Sequence, residues 1–177
     1  VMVAAGCGAL ITLLLSIAPE ERLRGMLFWL MGDFSQGVNP TYALAGLAMV
    51  GFLTAPLARD LNVLIRGNDS AKALGVSASF VRIAVYVLAS MATAASVTTA
   101  GSVGFVGLVI PHLTRMLVGN DQRILIPTSM LAGGIFLVLA DTLARLLIAP
   151  QQLPVGVVTA LIGVPVFLYL LNRTRYQ

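Results

Sequence analysis

The chain has 177 residues, of which 58% are hydrophobic and 10% charged, and its mean hydropathy is +0.95. These values exclude a soluble globular domain. Repeated apolar runs of about 17 to 25 residues fit helices that cross a hydrocarbon layer about 30 Å thick. We therefore predict an all-α, polytopic membrane protein built as a helical bundle.

The charge and cysteine content narrow the possible partners. The formal net charge is +4, but no basic stripe with interleaved aromatic residues occurs, so we expect a lipid bilayer and no nucleic acid. The single Cys7 excludes an intramolecular disulfide. Val1 already lies in an apolar run with no basic segment before it, so we expect a chain that begins inside a longer protein and carries no signal peptide.

The first predicted elements are an apolar span over residues 1–18 and a short amphipathic helix over residues 20–31. Pro19 and the charged residues after it end the span. Trp29 is typical of an anchor at the membrane interface. Gly32, Gly37 and Pro40 then interrupt the chain.

A second span over residues 41–58 leads into the polar segment LNVLIRGNDSAKALG, residues 61–75, which we call the elbow. Its charges would each cost about 2.5 to 3.5 kcal/mol at the bilayer centre, so it must lie in water. Its glycines predict two short helices, one that ends at Arg66 before Gly67 in a left-handed cap, and one that begins near Asn68 and ends at Gly75. A plain solvated turn is the alternative. The third span covers residues 80–100.

The fourth span, residues 102–118, is predicted to be broken, partly extended and partly helical. Glycines and one proline interrupt it at Gly101, Gly104, Gly107 and Pro111. Irregular backbone at membrane depth is tolerated where it packs in protein or lines a cavity, and it often marks a transport path.

Two further spans, residues 124–148 and 154–171, complete six crossings. Basic residues concentrate in short cytoplasmic loops, and this layout puts eight on the side of the elbow and three on the other. We therefore place the elbow and the C-terminus in the cytoplasm. The eight are Arg59, Arg66, Lys72, Arg82, Arg115, Arg123, Arg173 and Arg175, and the three are Arg22, Arg24 and Arg145.

No catalytic, cofactor or metal site is predicted, because His112 has no ligand partner at suitable spacing and no hydroxyl has a nearby base. Asp141 and Arg145 lie four residues apart near the outer end of the fifth span. Such a pair usually stabilises a helix by about 0.3 to 0.5 kcal/mol, but ionisable groups this close to a bilayer are also functional candidates. A proton relay is the third option, although it lacks a second carboxylate.

Four motifs in order, LNVLIRGNDSAKALGV, GSVGFVGLVIPHLTR, LADTLAR and LPVGVVTALIGVPVFLYLL, resemble the FecCD-type permeases of ABC importers for iron-siderophores, haem and cobalamin. The resemblance implies a type II importer permease fold of about ten spans. This chain, residues 1–177, would be its C-terminal part of about six spans, with one span broken.

The resemblance also implies site residues. The segment at about residues 61–76 corresponds to cytoplasmic coupling helices that dock on an ATPase, and Arg66 and Asn68 depart from the usual pattern. The Arg of LADTLAR, Arg145, resembles a docking residue for the external binding protein, with Asp141 holding it. The coupling residues are Leu61, Asn62, Leu64, Gly67, Asp69, Ala71, Leu74 and Gly75.

The implied function is the inner-membrane permease subunit of an ABC importer for a metal chelate, with iron-siderophore first and haem or cobalamin next. Such a subunit hydrolyses no ATP and binds no cofactor, since ATP belongs to two partner ATPase subunits. A second permease subunit and an external substrate-binding protein are the other implied partners. A secondary transporter and a non-catalytic membrane anchor are the alternatives.

Overall fold

The computed structural model describes residues 2–34, 40–149 and 151–174. Within these ranges it contains eight α-helices and no strand, so the all-α prediction is confirmed. The helices are α1 (Met2–Ile17), α2 (Glu20–Met31), α3 (Pro40–Ile65), α4 (Asn68–Ala73), α5 (Ala78–Ala100), α6 (Val106–Val118), α7 (Gln122–Leu146) and α8 (Val155–Thr174).

Four of the described helices, α3, α5, α7 and α8, are long and apolar enough to cross a membrane. The other two apolar helices are shorter, with 16 residues in α1 and 13 in α6. At 1.5 Å per residue these span about 24 and 20 Å, less than a hydrocarbon layer of about 30 Å. A crossing at α6 therefore needs the non-helical residues that precede it.

Helix α7 is the centre of the bundle, because it packs against α3, α6 and α8. A small buried cluster joins the end of α7 to the start of α8 through Ala140, Ala144, Val155 and Val158. Small side chains allow the two backbones to approach closely. Nearer the start of α7, the hydroxyl of Ser129 lies 2.8 Å from the hydroxyl of Thr114 on α6 and connects the two helices.

Most large apolar side chains of the bundle face outward. Leu10, Phe52, Leu131 and Leu161 are examples of exposed residues on four different helices, and α1 buries no residue at all. In water such a surface would be an aggregation hazard, whereas lipid tails or further transmembrane segments cover it without cost.

The structure corrects the second span and the first elbow helix. Helix α3 continues without interruption from Pro40 to Ile65, although the span was predicted to end at residue 58 and a separate helix to follow. Pro56 does not end the helix, since apolar helices tolerate proline where local hydroxyls and neighbouring helices compensate. The elbow therefore follows directly from the last turn of α3.

Candidate functional site

The elbow is folded against the end of the bundle, because α4 packs on both α3 and α5. Ala71 on α4 is completely buried, and Val81 on α5 is nearly so. The Val76 N–H donates to the Ala71 carbonyl at 2.8 Å, which turns the chain from α4 into α5. This packing fixes the position of α4 relative to both spans.

A side-chain contact holds the start of α4. Arg82 on α5 donates from Nη2 to Oδ1 of Asn68 at 2.8 Å. Gly67, just before α4, has φ 115° and ψ 157°, a region that only glycine occupies readily. The expected left-handed helical cap at Gly67 is therefore wrong, but the need for glycine remains. Arg82 was not predicted as an elbow residue, since no local spacing connects it to Asn68.

The predicted coupling residues divide into exposed and internal groups. Leu74 is 66% exposed, and Asp69, Gly67 and Gly75 also lie at the surface. Ala71 is internal, whereas Leu61, Asn62 and Leu64 are partly buried. The exposed apolar surface also includes Ile65, 59% exposed at the end of α3, which sequence analysis did not single out. The surface that a partner could touch is thus centred on α4 and the end of α3.

Asn62 makes hydrogen bonds to the start of α7. Its Nδ2 donates to Oδ1 of Asp121 at 2.6 Å, and its Oδ1 accepts from the Gln122 N–H at 2.8 Å. Asp121 is the N-cap residue of α7 and also accepts from the Arg123 N–H at 3.0 Å. These bonds, from Arg123 first and from Asn62 next, lower the pKa of the Asp121 carboxyl.

At the opposite end of the bundle, three glycines lie where the ends of α2 and α5 meet the start of α8. We call Gly32, Gly101 and Gly156 the glycine junction. The Val155 N–H donates to the Gly32 carbonyl at 3.0 Å, and the Asp33 N–H donates to the Ala100 carbonyl at 2.9 Å. A Cβ on Gly101 would overlap the carbonyl oxygen of Trp29. The ends of α2 and α5 and the start of α8 therefore come together only because these residues have no side chain.

The broken span begins at the glycine junction. Residues 101–105 are non-helical, and α6 starts at Val106. The Ser102 carbonyl lies near Gly156 of α8, while the Phe105 side chain lies against Gly163, where an added Cβ would be 2.5 Å from Phe105 Cβ. Gly156 and Gly163 are about 10 Å apart along α8. This distance equals the length of three extended residues, the separation of Ser102 and Phe105 in the sequence.

The length of this segment adds to that of α6. About 10 Å of extended chain and about 20 Å of α6 together equal the hydrocarbon thickness of about 30 Å. Phe105, the residue that enters the helix, has φ 66° and ψ −26°, a conformation that costs an L-residue about 1 to 2 kcal/mol. The predicted break is confirmed at residues 101–105, where the irregular backbone packs against α8.

Two positions in the predicted break lie inside the helix instead. Gly107 and Pro111 are both part of α6, so neither interrupts it. Pro111 lies inside α6, six residues after its N-cap, and proline inside an apolar helix is tolerated where neighbouring helices support the freed backbone groups. Gly101 and Gly104 are the two predicted positions in the non-helical segment.

Asp141 and Arg145 lie at the same end of the bundle as the glycine junction. Arg145 Nε donates to Asp141 Oδ2 at 2.8 Å, and the two side chains are 42% and 25% exposed. Ala140 and Ala144, beside them in the sequence, are buried against α8. The ion pair of Asp141 and Arg145 therefore lies at the surface of α7, while the opposite face of this helix end is packed against α8.

The described residues contain no group of three or more His, Cys, Asp or Glu side chains placed to hold a metal ion. His112 lies within α6 and is partly buried. A groove of about 560 Å³ runs beside the broken span, lined by Ser102 and by apolar residues of α8 such as Val157 and Val164. The geometry thus offers surfaces and a groove for binding.

A bundle of apolar helices with one broken span and a folded polar elbow is typical of a multi-pass membrane protein. Comparison with known proteins identifies its family. The model of the FecCD transport family matches residues 1–173, and the chain belongs to this family. The resemblance found in the four sequence motifs is confirmed.

The chain is 39% identical over 176 residues to the hemin transport system permease protein HmuU of Yersinia pestis, covering 97% of this chain and 52% of that protein. It is 42% identical over 164 residues to the cobalamin import system permease protein BtuC of Halobacterium salinarum, covering 92% and 44%. The chain therefore spans about half the length of these relatives.

A solved structure shares the fold. The chain superimposes with a TM-score of 0.85 and 36% identity on a metal-chelate type ABC transporter in an inward-facing conformation. The match covers 97% of this chain and 57% of that one. The predicted permease fold is confirmed over the described helices.

Proposed function

We propose that this chain forms the C-terminal part of the permease of a type II ABC importer that carries a metal chelate across the inner membrane. The observation that carries the proposal is the elbow. It is polar and exposed, yet α4 is fixed by the buried Ala71 and by the bond between Arg82 and Asn68. A solvated connecting turn needs neither constraint.

At the elbow, the proposal places a partner ATPase. Leu74 and Ile65 are exposed apolar side chains beside the charged residues Asp69 and Lys72. An apolar anchor with a polar rim suits a cleft on another protein. ATP would be bound and hydrolysed by two such partner subunits, and their movement would shift a fixed α4 as a unit together with α3 and α5.

At the outer end, the proposal places the external binding protein on Arg145. The guanidinium is held by Asp141 but is still partly exposed, and its planar fork suits a carboxylate on the partner. A charge pair at the rim of an interface chiefly sets register and association rate.

Between these ends, the broken span and its groove support a transport path. The groove is almost entirely apolar, so it offers no strong ligand to a metal and suits a large chelate that slides past. A second permease subunit would complete the path, with the exposed faces of α1 and α8 as the proposed contact. The relatives named above concern hemin and cobalamin, so we propose the iron-siderophore of the sequence analysis alongside these two chelates.

The test is uptake by the full-length permease in proteoliposomes with its ATPase and binding protein. Labelled ferric siderophore, haem and cobalamin are supplied in separate arms, and the control omits the ATPase. We expect ATP-dependent uptake of one chelate, which is lost in the control. Uptake driven by an ion gradient without the ATPase would instead identify a secondary transporter, and an assembled complex that moves none of the chelates would contradict the proposal.

A further inference from the structure

The hydrogen bonds between Asn62 and the start of α7 join two elements that are 59 residues apart in sequence. Asn62 lies in the last turns of α3, where α3 enters the elbow. Asp121 and Gln122 are the N-cap and first residue of α7. We call Asn62 and Asp121 the interhelix pair. It is a direct connection between the proposed ATPase-docking element and the central helix of the bundle.

Both polar groups of the Asn62 amide form hydrogen bonds, and these bonds fix which group faces which partner. The Nδ2 group faces a carboxylate, which can only accept, and Oδ1 faces a backbone N–H, which can only donate. A flipped amide would lose both bonds. The pair therefore sets the orientation of Asn62 and the distance between the ends of α3 and α7.

Capping of α7 alone does not require Asn62. Asp121 already caps the helix through the Arg123 N–H, which is a local N-cap bond of the usual kind. The Gln122 N–H is exposed to solvent in an uncapped helix and could bond water. The second bond from a distant helix is thus additional to helix capping, and its consequence is positional.

Helix α7 extends this connection to the far end of the molecule. It has 25 residues and is about 37 Å long, and Arg145 lies in its last turn. It packs against α3, α6 and α8 along the way. A movement of α7 as one body from its first turn would therefore reach the outer end, where the binding protein is proposed to dock.

We infer that Asn62 and Asp121 are positioning residues that couple the ATPase-facing elbow to α7, and through it to the Asp141 and Arg145 surface. The inference rests on the proposed function. It gives Asn62 a role inside the permease, in place of the direct ATPase contact implied by the family pattern. Loss of the pair should uncouple the two proposed docking surfaces without separating the subunits.

The first experiment removes the acceptor. Asp121→Ala is introduced into the full-length permease, assembled with its ATPase and binding protein in proteoliposomes. The readout is ATP hydrolysis with saturating binding protein divided by hydrolysis without it. Allosteric coupling is typically at least about fivefold, so we expect this ratio to fall about fivefold. The ATPase should still co-purify in unchanged amount.

Asn120→Ala is the matched control. Asn120 is exposed, lies one residue before Asp121, and its side chain makes no hydrogen bond with any residue that the structure describes. This variant should keep the ratio of the unsubstituted transporter. An unchanged ratio in Asp121→Ala, or an equal fall in both variants, would overturn the inference.

The second experiment exchanges the amide and the carboxylate of the interhelix pair. It also tests the inference if the Asp121→Ala protein does not accumulate in the membrane. Asn62→Asp sets two carboxylates against each other and should lower the ratio. Adding Asp121→Asn restores a donor to face the new carboxylate, which also accepts from the Gln122 N–H. We expect the double variant to recover at least half of the lost stimulation. A double variant no better than Asn62→Asp would overturn the inference.

The outcomes also separate the inference from the proposed function. If the unsubstituted permease neither binds the ATPase nor responds to the binding protein, the proposed function fails. If it does both and all variants behave like it, only the inference fails. Loss of ATPase co-purification in Asn62→Asp but not in Asp121→Ala would show that Asn62 contacts the ATPase directly, and would also overturn it.

Discussion

At the scale of single residues, Arg145 combines a weak structural role with an exposed charge. Its ion pair with Asp141 is an i,i+4 contact on a partly exposed helix face, worth about 0.3 to 0.5 kcal/mol. Removal of this pair should therefore hardly affect folding. A docking role would instead depend on the sign of the charge, so stability and function can be separated at this residue.

Arg145→Glu should weaken docking of the binding protein by about tenfold, equivalent to about 1.4 kcal/mol. Membrane abundance and thermal stability should stay close to those of the unsubstituted permease. Binding-protein affinity and chelate uptake are the measurements, and a glutamate-to-arginine change on the partner should restore part of both. Arg22→Glu, an exposed arginine assigned to the same side of the membrane, is the control. Normal docking by Arg145→Glu, or its misfolding in detergent, would leave Arg145 as the structural mate of Asp141 alone.

The contacts that the sequence predicts at this scale are local. Asp141 and Arg145 lie one helical turn apart, so their spacing alone predicts the ion pair. The bonds of Asn62 with Asp121 and of Arg82 with Asn68 cross 59 and 14 residues. No spacing rule reaches across those distances, and both pairs become visible only once the helices have packed.

At the scale of elements, the broken span shows how glycine allows extended chain to lie within a bundle. Residues 101–105 fit beside α8 because Gly156 and Gly163 leave space for the Ser102 carbonyl and the Phe105 ring. By contrast, an added Cβ at Gly104 or Gly107 would meet nothing within 4 Å in the part of the chain described. Gly156 and Gly163 are therefore packing positions, whereas Gly104 and Gly107 face open space.

Gly163→Leu should therefore reduce membrane abundance and thermal stability, since it forces Phe105 to move, at a cost of about 1 to 3 kcal/mol. Gly104→Leu and Gly107→Leu should preserve abundance, because an added Cβ meets nothing within 4 Å in the described chain, and should impair uptake if this open space belongs to the proposed path. Abundance, melting temperature and uptake are measured for the same three variants. Equal losses of abundance and uptake at Gly104 and Gly107 would assign these glycines to packing as well.

The sequence predicts elements well where chemistry marks their ends. Helix α2, Glu20–Met31, begins and ends where predicted, because Pro19 and Gly32 flank it. The exit of α3 was predicted too early, since a membrane helix can continue through Pro56 when its neighbours support it. Pro111 was likewise predicted to interrupt the fourth span, but α6 continues through it.

At the scale of the whole molecule, the two candidate sites lie at opposite ends of one bundle. The elbow and the interhelix pair occupy the end at which α3 finishes and α7 begins, and Arg145 lies at the far end of α7. The count of basic residues had placed these ends on opposite sides of the membrane. A transporter needs both surfaces, whereas a membrane anchor needs neither.

Composition alone establishes the membrane class, because about twenty apolar residues in a row have few other uses. It did not separate the four long spans of the described chain from the two shorter apolar helices α1 and α6. It does not establish which faces pack and which meet lipid. Leu131 and Leu125 are both leucines of α7, yet the first is 69% exposed and the second buried. Exposed faces such as that of Leu131 are open to lipid tails or to further transmembrane segments.

The central claim, that the elbow docks on an ATPase, is tested most directly by cysteine crosslinking in the assembled, active transporter. Cys7→Ser removes the thiol of this chain, any other cysteine of the full-length permease is replaced in the same way, and a cysteine is then placed at Asp69 or Ser70, both exposed on α4. Glu21→Cys, exposed on α2 on the opposite side, is the control. We predict adducts with the ATPase subunit from Asp69→Cys or Ser70→Cys and none from Glu21→Cys. Failure of both elbow positions to crosslink, in a transporter that still hydrolyses ATP and takes up its chelate, would contradict the account.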